Sequence, residues 1–175
     1  MIGVSMTERV ALIVHCRPDD LFLVQLADGE TSGRRRWGFP VTERDLRDAE
    51  TPMAAVRRIA KNSFNYEMDA KDHARCFGLE SYRHGDTLYL PILMDLEKTG
   101  QFAPPPGSVA QWKTFGTLIL LTERGLFPQT HLVLLNTANE HLNESRNEAV
   151  EEDPFALLDE LRDGARSGGL PGDDD

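Results

Sequence analysis

The amino-acid sequence predicts an α/β domain that is followed by an acidic C-terminal extension. Three observations predict it: apolar, β-branched runs of strand length, one strongly periodic helix with good cap residues, and a concentration of acidic residues after position 139. With 175 residues, 40% of them hydrophobic and 27% charged, the chain can bury a core without a disulfide or a metal. We therefore expect one domain over residues 1–139, and an acidic helix with a disordered tail over residues 140–175.

Five segments have the composition and length of β-strands. The first two are joined by the turn-forming residues Arg17–Asp20, so this pair predicts a hairpin. A second turn is predicted at His84–Asp86, between the third strand and the fourth. The predicted strands are Val10–His15, Leu21–Leu26, Ala74–Tyr82, Thr87–Leu96 and Ala110–Phe115.

The clearest helix starts after Thr51. This residue is a good N-cap, and Pro52 suits the first helical position, where its missing N–H costs nothing. Apolar residues then recur three or four positions apart and share one face of the helix. They are Met53, Val56, Ala60 and Phe64. Asn65 predicts the helix end, since asparagine tolerates left-handed backbone angles. Further helices are predicted over residues 117–124, 128–139 and 153–162.

Charge is unevenly distributed along the chain. The whole sequence carries 19 basic and 29 acidic residues, a net charge of −10, and residues 140–175 alone carry 12 acidic and 3 basic ones. The preceding domain is therefore nearly neutral. Extensive nucleic-acid binding is disfavoured, because it requires a basic surface that replaces counterions on the phosphates.

Targeting, redox and metal-binding patterns are few. No apolar stretch approaches the roughly 20 residues of a membrane-spanning helix, and residues 1–7 lack the pattern of a secretory signal. Cys16 and Cys76 are the only cysteines, which is too few for a disulfide framework. The five histidines show no metal-ligand spacing. We therefore expect a cytoplasmic protein that does not contact membranes.

Trp37–Pro40, Glu50–Pro52 and Arg58 resemble the Nudix superfamily. A typical segment of that family reads W-G-x-P-G-G, then G-E-T-P at a helix start, then R-E-x-x-E-E-x-G. Trp112–Leu118 is similar to a later family segment, W-F-T-x-x-E-L, and the order of predicted elements agrees over residues 9–139. The resemblance implies an α/β/α sandwich with a mixed sheet.

The motif helix departs from the family where the family binds its metal. Nudix hydrolases use Mg²⁺-assisted attack of water on a diphosphate, and the carboxylates that hold the metal lie one, four and five residues after the motif arginine. With Arg58 as that arginine, residues 52–65 include no acidic residue in any register. The three carboxylate positions hold Ile59, Asn62 and Ser63. Since Glu50 and Arg58 remain, the resemblance is to a degenerate Nudix box that lacks its metal-binding glutamates.

These departures predict a domain without hydrolase activity, which binds a nucleotide-like small molecule or a protein partner and needs no cofactor or metal. The resemblance places ligand contacts in the basic and aromatic segment before the helix and at the motif arginine. The candidate ligand-binding residues are Arg35, Arg36, Trp37, Phe39 and Arg58. Core packing is the alternative for the two aromatic residues, and an exposed loop is the alternative for the arginines before them.

Two alternative functions remain open. A divergent hydrolase of nucleoside diphosphate derivatives would hold Mg²⁺ with carboxylates outside the motif helix, such as Glu43, Glu50 or Glu140. A structural partner domain would instead use its acidic extension to contact a basic protein in a salt-sensitive way. Domains of this family often dimerise, so the resemblance also makes a homodimer one of the expected assemblies.

Overall fold

Eight strands form one mixed sheet within residues 5–28, 35–102 and 109–152, which are the residues that the computed structural model describes. The strands are Thr7–Cys16 (β1), Leu21–Asp28 (β2), Arg35–Gly38 (β3), Val41–Glu43 (β4), Cys76–Gly78 (β5), Tyr82–His84 (β6), Thr87–Leu96 (β7) and Val109–Thr114 (β8). The helices are Pro52–Phe64 (α1), Ala70–Ala74 (α2), Phe115–Glu123 (α3) and Gln129–Glu152 (α4), and a 3₁₀ turn covers Thr99–Gln101. Met1–Asn139 and Glu140–Asp175 are two separate units of the chain.

The central strand of the sheet is β1. It runs parallel to β7 along its whole length, from the pair Thr7 and Thr87 to the pair Cys16 and Leu96. On its other side it pairs antiparallel with β2 and β4. β2 also pairs with β3 and β8, and β7 pairs with the short strands β5 and β6. Because β1 and β7 are parallel and in register, both end at the same edge of the sheet.

Helix α1 begins and ends where local chemistry predicts. The Thr51 hydroxyl accepts a hydrogen bond from the backbone N–H of Ala54, and Pro52 occupies the first helical position. At the other end, Asn65 adopts the left-handed conformation with φ of 52°, and its N–H donates to the carbonyl of Lys61 at 3.0 Å. The predicted N-cap and helix stop are both confirmed.

Both faces of the sheet are covered. On one face, α1 buries Ala55, Val56, Ile59, Ala60 and Phe64 against β1, β2 and β7. Side chains alternate between faces along a strand. Ile13 and Phe22 therefore point to the opposite face, and both are fully buried there. The predicted α/β class and mixed sheet are confirmed.

Several predicted boundaries of strands and helices differ from those in the structure. The strand predicted over Ala74–Tyr82 is two short strands, Cys76–Gly78 and Tyr82–His84, and Ala74 belongs to α2, which a capping box of Asp69 and Asp72 starts. The strand predicted to end at Phe115 ends at Thr114, whose hydroxyl caps α3. The helix predicted over residues 128–139 is longer than expected, because α4 begins at Gln129 and runs on to Glu152.

Some sequence predictions fall outside the described residues. These are the helix over residues 153–162 and the disordered tail after it. In the described part of the chain, no helix is both long enough and apolar enough to cross a membrane.

Candidate functional site

The motif arginine, Arg58, is held by the segment that precedes α1. Its Nε donates to Glu50 Oε2 at 3.2 Å, and its Nη2 donates to Glu50 Oε1 at 2.9 Å. Its Nη1 donates to the Thr42 hydroxyl, and Nη2 also donates to the backbone carbonyl of Glu43, both at 2.9 Å. Hydrogen bonding between the two groups lowers the pKa of Glu50 and raises the pKa of Arg58, so both stay charged. Arg58 therefore fastens α1 to β4.

In the acidic segment between β4 and α1, carboxylate side chains accept hydrogen bonds from backbone N–H groups of the same segment. Asp45 Oδ1 accepts the N–H groups of Arg47 and Asp48 at 3.0 and 3.2 Å, and Glu50 Oε1 accepts the N–H of Asp45. Ala49 adopts a left-handed φ of 52°. An open cleft of about 860 Å³ lies beside this segment. Two of the three carboxylates in this segment, at positions 45 and 50, thus already accept hydrogen bonds that shape the turn.

The three positions where the family motif has carboxylates lie in different environments on α1. Ile59 is 4% exposed and belongs to the apolar core, Asn62 is exposed, and Ser63 is half-buried. Mg²⁺ prefers several anionic oxygen ligands, whereas these positions offer one amide, one hydroxyl and one hydrocarbon. Among the described residues, no three His, Cys, Asp or Glu side chains are grouped as a metal site. The motif helix therefore does not fit a magnesium ion.

The five candidate ligand-binding residues are not gathered in one cleft. Arg35, Arg36 and Trp37 follow one another on β3, so Arg36 points to the opposite face from its two neighbours. Both arginines are exposed, and Trp37 is half-buried with Lys113 Nζ 4.3 Å from its ring centroid. Of the five residues, Arg58 is the one that lines the cleft beside α1.

Phe39 lies in the core, as the packing alternative predicts. It is 3% exposed, and its ring lies edge-on to Phe127 at 5.6 Å and parallel to the ring of His131 at 6.1 Å. Its backbone N–H donates to His131 Nδ1 at 3.0 Å. A Cβ atom added at Gly38 would lie 2.9 Å from the His131 ring, so this close approach requires glycine. Gly38 and Phe39 therefore pack against His131.

His131 is a residue whose role sequence reasoning missed. Burial lowers the pKa of His131 to about 4, so the ring stays neutral and its Nδ1 can accept the hydrogen bond from Phe39. The histidine has no metal-ligand spacing in the sequence. The glycine at position 38 is the one signal in the sequence that could have indicated a close contact here, since a glycine lets another group approach the backbone.

We expect the stability to fall as the pH decreases from about 6.5 to about 4, and His131 to contribute to this loss. The folded pKa is about 4 whereas an unfolded histidine has a pKa near 6.5. The unfolded state therefore binds the proton first, and the slope from this residue approaches about 1.4 kcal/mol per pH unit within that window. Urea unfolding at pH 7, 6 and 5 measures it.

The matched variants are His131→Gln, which keeps a hydrogen-bond acceptor without titrating, and His84→Gln at the exposed end of β6. His131→Gln should flatten the loss of stability between pH 7 and 5, and His84→Gln should leave it unchanged. Equal slopes for wild type and His131→Gln would contradict the assignment.

Solved structures of other proteins share this architecture. An ADP compounds hydrolase superposes with a TM-score of 0.59 at 13% identity, over 78% of this chain and 74% of the other. The C-terminal domain of mouse MUTYH, solved in complex with human PCNA, superposes with a TM-score of 0.60 at 15% identity, over 78% and 90%. The Deinococcus radiodurans protein DR0079 gives 0.58 at 14%, over 74% and 81%.

The fold is Nudix-like. This confirms, at the level of the fold, the resemblance seen in the Trp37–Pro40 and Glu50–Pro52 segments. No protein-family model matches the sequence, and no curated protein matches it by sequence. At these identities the Nudix-like neighbours establish the architecture alone.

Proposed function

We propose that this chain is a Nudix-like domain that does not hydrolyse nucleoside diphosphate derivatives and acts as a binding module. The observation that carries the proposal is the composition of α1. Its three carboxylate positions are Ile59, Asn62 and Ser63, and the first of them is part of the core. Water attack on a diphosphate in this fold family depends on a metal held by that helix face. A core isoleucine and two neutral polar groups do not supply the ligand charge.

The bonding of Arg58 supports the same proposal. Its guanidinium is committed to Glu50, Thr42 and the Glu43 carbonyl, which are all parts of this chain. The remnants of the motif therefore act as a structural clamp between β4 and α1. The proposed ligand contacts are Arg35 and Trp37 on one face of β3 and, separately, Arg36 on the other face. Guanidinium groups bind phosphate or carboxylate oxygens, and an indole ring stacks on planar groups.

A protein partner is the second class of ligand that we propose. The mouse MUTYH domain, which has a similar fold, is found in a complex with PCNA, so this architecture is compatible with protein binding. In the present chain, residues 140–175 carry most of the net negative charge, which suits a basic partner surface. A cytoplasmic location and a homodimer remain predictions.

The alternative function is a Mg²⁺-dependent hydrolase that recruits carboxylates from outside α1. The structural similarity to an ADP compounds hydrolase favours it, and Glu50 is a carboxylate next to the helix whose pKa is lowered by its hydrogen bond with Arg58. Glu50 is already bonded to Arg58, and Glu43 is exposed and 3.7 Å from Arg9. Glu140 is the third candidate carboxylate. Glu50 and Glu43 would have to exchange their present partners for the metal.

Calorimetry with Mn²⁺, with and without ADP, distinguishes the two functions. We expect no saturable binding to the wild-type chain and no Mg²⁺-dependent turnover of ADP-ribose. The double variant Asn62→Glu/Ser63→Glu adds one carboxylate at an exposed position and one at a half-buried position of α1, and should gain metal binding. It leaves Ile59 in the core.

Micromolar Mn²⁺ binding by the wild type, on the order of −8 kcal/mol, would overturn the proposal. The hydrolase function would then take its place. Variants Glu43→Gln and Glu50→Gln would identify the carboxylates that hold the metal.

A further inference from the structure

A small pocket lies where the two parallel strands β1 and β7 end. It has a volume of about 220 Å³ and shares no residue with the cleft beside α1. We refer to it as the strand-end pocket. Its lining residues are Arg17, Pro18, Ala74, Arg75, Phe77, Asp95, Leu96 and Glu97. In sheets that contain parallel strands, ligands often bind beyond the carboxyl ends of those strands.

A buried polar network forms the base of the strand-end pocket. His15 is fully buried, its Nδ1 lies 3.1 Å from Asp95 Oδ1, and its Nε2 lies 2.8 Å from Asp20 Oδ1. Burial acts to raise the pKa of Asp95, but hydrogen bonds from His15 and Arg17 outweigh it and hold that pKa below its usual value. Asp95 is therefore a carboxylate that is fixed in place.

This network positions the guanidinium of Arg17. Asp95 Oδ2 accepts hydrogen bonds from Arg17 Nε at 2.9 Å and from Nη2 at 2.6 Å. The Arg17 side chain is nevertheless 69% exposed, and within the described residues its Nη1 has no hydrogen-bond partner. An arginine that is already ordered loses less conformational entropy when it binds an anion. Arg17 is thus prepared to donate to a ligand oxygen.

The other wall of the pocket supplies a second guanidinium and an aromatic ring. Arg75 lies 3.8 Å from a carboxylate oxygen of Glu97, and the Glu97 side chain is 77% exposed. Such a loose, solvated ion pair contributes little stability, so a ligand oxygen can replace it. Phe77 is 40% exposed, and with Pro18 and Leu96 it gives the pocket an apolar side.

We propose that the strand-end pocket binds a small oxyanion that carries an aromatic ring. The oxyanion lies between the guanidinium groups of Arg17 and Arg75, and the ring lies against Phe77. Phosphate and carboxylate groups share this recognition chemistry, because both accept paired N–H donors from arginine. The volume of the pocket suits a single ring with its anionic group and excludes a whole dinucleotide. This site is independent of the binding function proposed above.

Amide chemical shifts of the full chain, titrated with phenyl phosphate, benzoate and inorganic phosphate, test the proposal. We expect phenyl phosphate or benzoate to shift the amides of Arg17, Arg75 and Phe77 in a saturable way, and the tighter of the two identifies the anionic group. Arg17→Gln should raise the Kd for that probe about tenfold or more. Phe77→Ala should weaken binding of the aromatic probes several-fold and leave inorganic phosphate unaffected.

The control variant is Arg83→Gln, which removes an exposed arginine on β6 outside the pocket. It should leave every Kd unchanged. The proposal is overturned if neither aromatic probe shifts these amides in a saturable way up to about 10 mM. It is also overturned if Arg83→Gln weakens binding as much as Arg17→Gln, since that result indicates non-specific charge attraction. Phe77→Ala does not touch the buried network, so it remains informative if Arg17→Gln lowers stability.

Discussion

Ile59→Glu is expected to lower the free energy of unfolding by about 4 kcal/mol. Ile59 is 4% exposed and packs in the core between α1 and the sheet. The substitution removes apolar burial and places a carboxyl group where the surrounding side chains offer it no hydrogen bond. Urea unfolding followed by circular dichroism at pH 8 measures the difference from the wild type.

The matched control for this effect is Asn62→Glu, which adds the same group three residues later at an exposed position. It should change stability by no more than about 0.5 kcal/mol. The deficit of Ile59→Glu should also shrink as the pH falls, because burial favours the neutral form of a carboxyl group. A deficit below about 1 kcal/mol would mean that position 59 tolerates charge. If the expected deficit is found, the complete family motif cannot be restored in this chain without a cost to its core.

Asp95→Ala is expected to lower the free energy of unfolding by about 3 kcal/mol. The substitution leaves the fully buried His15 without its Nδ1 partner and releases Arg17 from its two hydrogen bonds. Glu97→Ala, two residues later, removes an exposed carboxylate 3.8 Å from Arg75, and should cost no more than about 0.5 kcal/mol. Chemical unfolding at pH 7 compares the two variants.

A double-mutant cycle separates the network from the loss of a single side chain. His15→Ala combined with Asp95→Ala leaves neither partner unpaired, so the double variant should be more stable than the sum of the two single effects by at least about 1 kcal/mol. Additive effects would show that the contact between His15 and Asp95 contributes nothing of its own. The pKa of Asp95 is lowered in the folded state, so its stabilising contribution is present above about pH 4 and is lost below it.

The sequence predicted the features of the fold that depend on neighbouring residues. Helix α1 is the best example, since Thr51, Pro52 and Asn65 determine its ends through local hydrogen bonds and backbone angles. The long strands β1, β2 and β7 could also be predicted, because each is an apolar run of sufficient length. Strand β4 could not be predicted, since its three residues form a strand through their pairing with Arg9–Ala11.

The polar contacts of the interior depend on residues that are far apart in the sequence. His15 and Asp95 are separated by 80 positions, and Phe39 and His131 by 92. The spacing of residues in the sequence does not predict such contacts. They depend on the parallel register of β1 and β7 and on the position of α4. The sequence did identify which motif positions lack carboxylates. It did not show that Ile59 is in the core or that Arg58 is bonded on three sides.

The parallel register of β1 and β7 also determines the order in which the chain assembles. Each residue of β1 pairs with one 80 positions later, so closing this contact orders a long loop and is slow compared with forming the β1–β2 hairpin. During synthesis, β1 can pair with β2 and β4 as soon as they emerge. The edge of β1 that pairs with β7 stays without its hydrogen-bond partners until β7 has been made. A nascent chain is therefore most prone to aggregation while only its first half exists.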